Sequence, residues 1–153
     1  MDLKKKIFFG VVVCFVVIQF IQPARNKSKD AFPTDMERMY LMSGNVKAIF
    51  RNACYDCHSD NTRYPWYSSI QPGAWYMSSH ISNGRKELNF NRFGEYSVRR
   101  QASKLKAIAN SINDKSMPVW SYTLVHRDAV LSEDQVKILS KWISKTLDSL
   151  AVE

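Results

Sequence analysis

The sequence is poor in the residues that a β-rich or disulfide-built protein depends on. Its 153 residues include five glycines, five prolines and three cysteines, and β-branched residues are densest in the first twenty positions and sparse beyond them. So few turn-forming and strand-forming residues argue against a sheet sandwich and favour helices. Internal repeats and low-complexity tracts are absent, and 45% hydrophobic with 24% charged residues is the composition of a folded domain, not of a disordered chain. The length is that of one domain. Acidic charge is the scarcer sign, with 14 Asp and Glu against 22 Lys and Arg and a formal charge of +8. That excess suits nucleic acid, an anionic membrane or an acidic protein, and serves solubility equally well.

Apolar residues are concentrated at the N-terminus. Residues 7–23 carry no charge and are mostly apolar; Lys4, Lys5 and Lys6 precede them, and Arg25 and Lys27 follow. This is the layout of an export signal. Cleavage after Ala24 would put Gln22 where a small residue is needed, so residues 1–24 read as an uncleaved signal-anchor. A transmembrane helix there would lie in the inner membrane, lysines in the cytoplasm and body in the periplasm. The span is short and suits a thin or locally thinned bilayer. Cys14 falls inside it as an apolar residue, because Val13 before it is too large for a lipoprotein site. An exported body argues against nucleic acid as a partner. Residues 25–43, with "NKSKDAFPTD", read as a polar linker.

Residues 44–150 read as an all-α domain. A helix is expected over 45–54, capped by Asn45, with Val46, Ile49, Phe50 and Ala53 on one face. Another lies between Pro72 and Gly84, which suits its stop; Ala74, Met77 and Ile81 share one side. A third covers 97–113, with Val98, Ala102, Leu105, Ala109 and Ile112 in register. The last opens on a capping box of Ser132 and Gln135 and carries Val136, Leu139, Ile143, Leu147 and Leu150 in one stripe. Between these two, "NDKSMPVWSY" resists helix at Pro118.

The chemistry concentrates in "NACYDCHSDNTRYPWYSSI", where Cys54 and Cys57 stand three apart and His58 follows. A structural zinc site needs four ligands, and Cys14, His80 and His126 supply no second pair. A thioredoxin-like dithiol belongs beside a βαβ pattern, and the surroundings are helical. A plain disulfide is geometrically awkward and leaves His58 unexplained. Covalent haem uses all three residues: the thiols add to the vinyl groups and the imidazole binds the iron. Candidates for the iron's other side are Met77, His80, Met117 and His126. Met117 has the best setting, because Pro118 frees its loop to cross the far face. A thioether there raises the potential relative to a second imidazole. Tyr64, Trp66, Tyr67, Trp75, Trp120 and Tyr122 flank the two loops. Core packing accounts for most of them; Trp66, Tyr67 and Trp120 are the candidates to line a macrocycle. Arg63 and Arg85 are candidates to meet its propionates.

These residues resemble a known family. A helix with Phe50 running into "CYDCH", then a Met-Pro loop, then "LSEDQVKILSKWI", resembles a class I cytochrome c. More specifically, "ACYDCHSDNTRYPWYSSIQP", "GRKELNF" and "MPVWSYTLVHRDAVLS" resemble the bacterial haem-binding domain family built around one CxxCH. The resemblance covers about residues 46–147. It implies an all-α, class I cytochrome c-like haem domain with haem c on Cys54 and Cys57, His58 as proximal ligand and Met117 as distal ligand. The expected function is that of a membrane-tethered periplasmic monohaem cytochrome, an electron carrier rather than an enzyme, serving acidic redox proteins. The alternative is a peroxidase-like enzyme or a haem-based sensor with an open or displaceable sixth position, where His80 or His126 supplies distal acid–base chemistry.

Overall fold

In the computed structural model, which describes residues 2–151, the chain forms helices α1 (Leu3–Ile18), α2 (Met36–Met39), α3 (Gly44–Ala53), α4 (Tyr55–His58), α5 (Gly73–Glu87), α6 (Val98–Asn113), α7 (Trp120–Thr123) and α8 (Glu133–Leu150). Short 3₁₀ turns at Trp66–Ser69, Phe90–Glu95 and Arg127–Ala129 join them. The described residues contain no strand; one isolated bridge pairs Lys27 with Asn61. The all-α class is therefore the one the composition implies.

The apolar stripes set the core. Val46, Ile49 and Phe50 of α3 are buried against Leu105, Ile108 and Ile112 of α6 and Leu139, Trp142 and Ile143 of α8. Phe50 is the centre: fully buried, it meets Phe90 and Trp142 edge-on at ring separations of 5.6 and 5.5 Å, the arrangement aromatic quadrupoles favour. Helix starts follow from their caps. Ser132 and Gln135 form the reciprocal box that opens α8, and Ser97 opens α6. At α3 the cap is Ser43, whose Oγ accepts from the Val46 N–H, and not Asn45. Gly84 does not stop α5, which continues to Glu87.

The N-terminal segment departs from expectation. α1 is apolar and exposed around most of its circumference, but its 16 residues span only about 24 Å at about 1.5 Å each, against a hydrocarbon core of about 30 Å. Lys4 to Lys6 also occupy its first turns. No helix among the described residues is long and apolar enough to cross a membrane, so the expected transmembrane anchor helix is not what forms. The apolar run is cut at Gln19, which the domain recruits. Gln19 Oε1 accepts from the Gln71 N–H at 2.9 Å, while Ile21 O accepts from Gln71 Nε2 at 2.8 Å and Trp75 Nε1 at 2.9 Å. Further on, Asn26 Nδ2 donates to Ser59 O at 2.8 Å, and Ser28 N–H donates to Asp60 O at 3.0 Å. The segment after α1 is thus laced onto the stretch that follows α4.

Truncating Phe50 to Ala should destabilise the folded protein by about 3–5 kcal/mol, seen as a lower urea midpoint with an unchanged slope. A loss below about 1 kcal/mol would mean the three-ring cluster is not the core's centre.

Candidate functional site

α3 ends at Ala53 and hands the chain, at Cys54, to the single turn α4, which holds Cys57 and His58. His58 Nδ1 lies 2.9 Å from Gly84 O and 3.1 Å from Leu88 O. Carbonyl oxygens only accept, so Nδ1 must carry the proton and the lone pair is left on Nε2. Burial holds the imidazole pKa below its ordinary value, outweighing the two carbonyl contacts that favour the charged form. The ring is therefore neutral, with one nitrogen anchored and the other available to a metal. Gly84 makes this approach possible. A Cβ there would stand 2.7 Å from the Cys57 carbonyl oxygen, so only glycine lets α5 close on the motif.

Cys54 and His58 line a cavity of about 200 Å³ with Phe90, Ile108, Ile112, Met117 and Pro118. An adjoining space of about 570 Å³ shares Ile112, Met117 and Pro118 and adds Trp120, Val130 and Val136. Met117, 41% exposed, thus stands at the junction of the two, on the same cavity as the proximal candidate. Cys57 opens the other way, onto about 210 Å³ lined by Met77, His80, Tyr67, Tyr122 and His126 among others. The structure therefore groups the far-side candidates: Met117 with Cys54 and His58, and Met77, His80 and His126 with Cys57. Both cysteines are free thiols. Burial pushes Cys54 up to about 12 and Cys57 up to about 11, so neither is a ready thiolate. Among the described residues no group of three or more His, Cys, Asp or Glu is placed to hold a metal ion.

The remaining candidates are dispersed. Tyr67 points into the Cys57 cavity, its hydroxyl 2.5 Å from His126 Nε2. Trp120 borders the Met117 space but is 76% exposed, and Trp66 is 81% exposed. Arg63 is held by Asp56, through Nε at 3.1 Å and Nη2 at 3.2 Å. Arg85 is held by Asp60.

Two acidic residues went unnoticed in the sequence. Asp56, inside the CxxCH, is buried and accepts from the Arg63 N–H at 3.0 Å, from its guanidinium, and from the Tyr122 hydroxyl at 2.7 Å. Burial together with this bond drives the Tyr122 phenol far above its usual range. Asp56 thereby ties the motif to the α7 turn that follows Met117. Asp60 receives Arg85, Arg92 and Asn89. The signal available was a carboxylate two positions either side of His58, each with an arginine near in sequence or one helix away.

The donor set fits a haem: a neutral imidazole with Nε2 free, a thiol and a thioether on one apolar cavity, and the second thiol on the adjacent turn. The model of the haem-binding domain family matches residues 13–145 of the chain. Neither a curated protein nor a solved structure matches it.

Two outcomes follow from this geometry. Gly84→Ala gains helix propensity of up to about 1 kcal/mol but drives a methyl into the Cys57 backbone, so a net loss of about 1–3 kcal/mol is expected, read from the thermal midpoint. For the haem-free chain, His58 binds its proton less readily when folded than when unfolded. Its contribution should be fully present above the unfolded pKa of about 6.5 and disappear as pH falls through the lower folded value. The difference in urea midpoint between wild type and His58→Phe, measured from pH 8 to 5, should show that decline; a pH-independent difference would contradict it.

Proposed function

This chain belongs to the haem-binding domain family, and from that membership we propose that it is a c-type monohaem electron carrier. The observation that carries the reading is the imidazole of His58, fixed by two carbonyls with Nε2 free, on a cavity that also holds Cys54 and Met117. The bound haem supplies a one-electron iron couple.

Cys54 and Cys57 would hold it: each thiol adds its sulfur to one carbon of a vinyl group and its hydrogen to the other, so nothing leaves. His58 Nε2 would be the proximal ligand and the Met117 thioether the distal one. Because Nδ1–H already donates to Gly84 O and Leu88 O, the ring needs no rotation or proton shift to ligate. Asp56 holds Tyr122 and Arg63, so the α7 turn stays put against the motif while the charge on the site changes. Phe90 and Ile108, buried on the His58 cavity, would keep water from the imidazole. A thioether opposite imidazole favours the ferrous state and a raised potential.

Export to the periplasm is part of the same proposal. It is supported by the lysine-flanked apolar segment of α1, of a length that suits an export signal's apolar core. Exposed around most of its circumference, that segment would keep the domain against the inner membrane. The basic surface would then speed encounters with acidic redox proteins.

The spectrum tests the reading. The oxidised protein should show the weak near-infrared band of sulfur-to-iron charge transfer, and Met117→Ala should abolish it while Met77→Ala, His80→Ala and His126→Ala leave it. Haem should stay with the chain after acid–acetone extraction, and be released in Cys54→Ala/Cys57→Ala. A high-spin spectrum with fast cyanide or carbon monoxide binding would overturn the carrier in favour of a peroxidase-like enzyme or a sensor, built on the cavity with His80 and His126.

A further inference from the structure

Just past α4, residues from four segments line a polar pocket of about 300 Å³: Arg25, Asn26, Lys27, Ser28, Asp60, Arg85 and Arg92. Four cationic side chains face one carboxylate. Asp60 is only 3% exposed and acts as the floor. Its Oδ1 takes Arg85 Nε at 2.9 Å, a short contact from Arg85 Nη2, and Asn89 Nδ2 at 3.0 Å; its Oδ2 takes Arg92 Nε at 3.1 Å. The Asp60 N–H is itself fixed by Asn91 Oδ1 at 2.7 Å, and its carbonyl takes the Ser28 N–H. Arg25 is steadied from the other side, its guanidinium 4.8 Å above the Tyr64 ring and its Nη2 on Ser69 Oγ at 2.8 Å.

This is an arrangement of cations in which the internal carboxylate orients but does not satisfy. Asp60 consumes the Nε edge of Arg92 and leaves both terminal nitrogens without a hydrogen-bond partner among the described residues. Arg85 Nη1 and Lys27 Nζ are likewise without one. Guanidinium groups held at one edge by a shared carboxylate keep their outer N–H bonds for a further acceptor, and such forks recognise the oxygens of a phosphate. The four cations still outnumber the carboxylates that act on them, Asp60 in the floor with Asp30 and Glu95 near Arg92, so a further anion offsets the remaining repulsion.

We propose that this pocket is a binding site for a phosphate-type oxyanion, held by Lys27, Arg85 and Arg92 with Arg25 at its rim. The chemistry is the same whether the phosphate is free or is the headgroup of an anionic lipid. Its position gives the second source a physical route, since Arg25 and Lys27 follow directly from the apolar segment that ends at Ile21. The site is independent of the electron-carrier reading, because neither Met117 nor the cysteines take part.

Calorimetric titration of the full-length haem-loaded protein with inorganic phosphate, in neutral detergent at constant ionic strength set by chloride, tests it. One phosphate per chain is expected. In Lys27→Gln/Arg92→Gln the affinity should fall by about tenfold or more, equivalent to about 1.4 kcal/mol, while Lys141→Gln on α8 should bind as wild type. Lys27→Gln alone touches no internal hydrogen bond of the side chain and should weaken binding without moving the thermal midpoint. Flotation with vesicles of phosphatidylcholine, with and without phosphatidylglycerol, separates the sources. If the headgroup is the ligand, the double variant keeps its binding to phosphatidylcholine and loses the gain from phosphatidylglycerol. If free phosphate is the ligand, the calorimetric loss occurs and flotation is unchanged. If wild type and double variant behave alike in both measurements, the proposal is overturned.

Discussion

The site depends on one contact, the Nδ1–H of His58 set between the carbonyls of Gly84 and Leu88. These carbonyls belong to the last turn of α5 and the residue just past it, where the helix dipole is negative. Gly84 O already takes the Leu88 N–H at 2.9 Å and offers His58 its second lone pair, while the field at this helix end favours the N–H of both contacts. The contact fixes the tautomer, and the tautomer decides which nitrogen can bind a metal. It also requires α5 to lie almost on top of α4, and the missing Cβ of Gly84 permits that. Fold and chemistry therefore meet at a glycine that makes no side-chain contact at all.

Around that contact, two carboxylates distribute the strain of holding a four-residue turn in place. α4 is too short to be stable by its own hydrogen bonds. Asp56 ties it forward to Arg63 and to Tyr122, and Asp60 ties the chain just beyond it to Arg85, Arg92 and Asn89. Burial alone would push Asp60 toward its neutral form, but bonds from Arg92, Asn89 and Arg85 outweigh it and hold its pKa below the ordinary carboxylate value. These ties run to α5, to the turn before Val98 and to α7, so the motif is braced from three directions while the cavity in front of His58 stays apolar.

Much of this was legible in the sequence, and the rest was hidden for identifiable reasons. Periodicity located α3, α6 and α8 because their apolar faces are what the core selects, and the Ser132–Gln135 box marked a helix start by local chemistry alone. Cys54, Cys57 and His58 declared themselves by spacing. Asn45 as cap failed because Ser43 also fits a cap, and local signals do not rank two polar residues in one turn. Gly84 read as a stop because glycine ends helices more often than it permits a close crossing, and the crossing is tertiary. Asp56 and Asp60 drew no notice, since burial of a carboxylate depends on arginines that arrive from elsewhere in the chain. The N-terminal run read as a short span for a thinned bilayer because hydropathy does not reveal that Gln19 and Ile21 will be claimed by Gln71 and Trp75.

That last recruitment changes the mechanics of the molecule. Left free, residues 25–43 would be a pliant leash letting the domain wander over roughly 25 Å. Bonded instead to Ser59, Asp60, Thr62 and Tyr64, the start of this segment makes α1 a handle whose socket is the loop just after His58. Whatever grips the handle sets the attitude of the His58 turn, and a push on one end is felt at the other without slack.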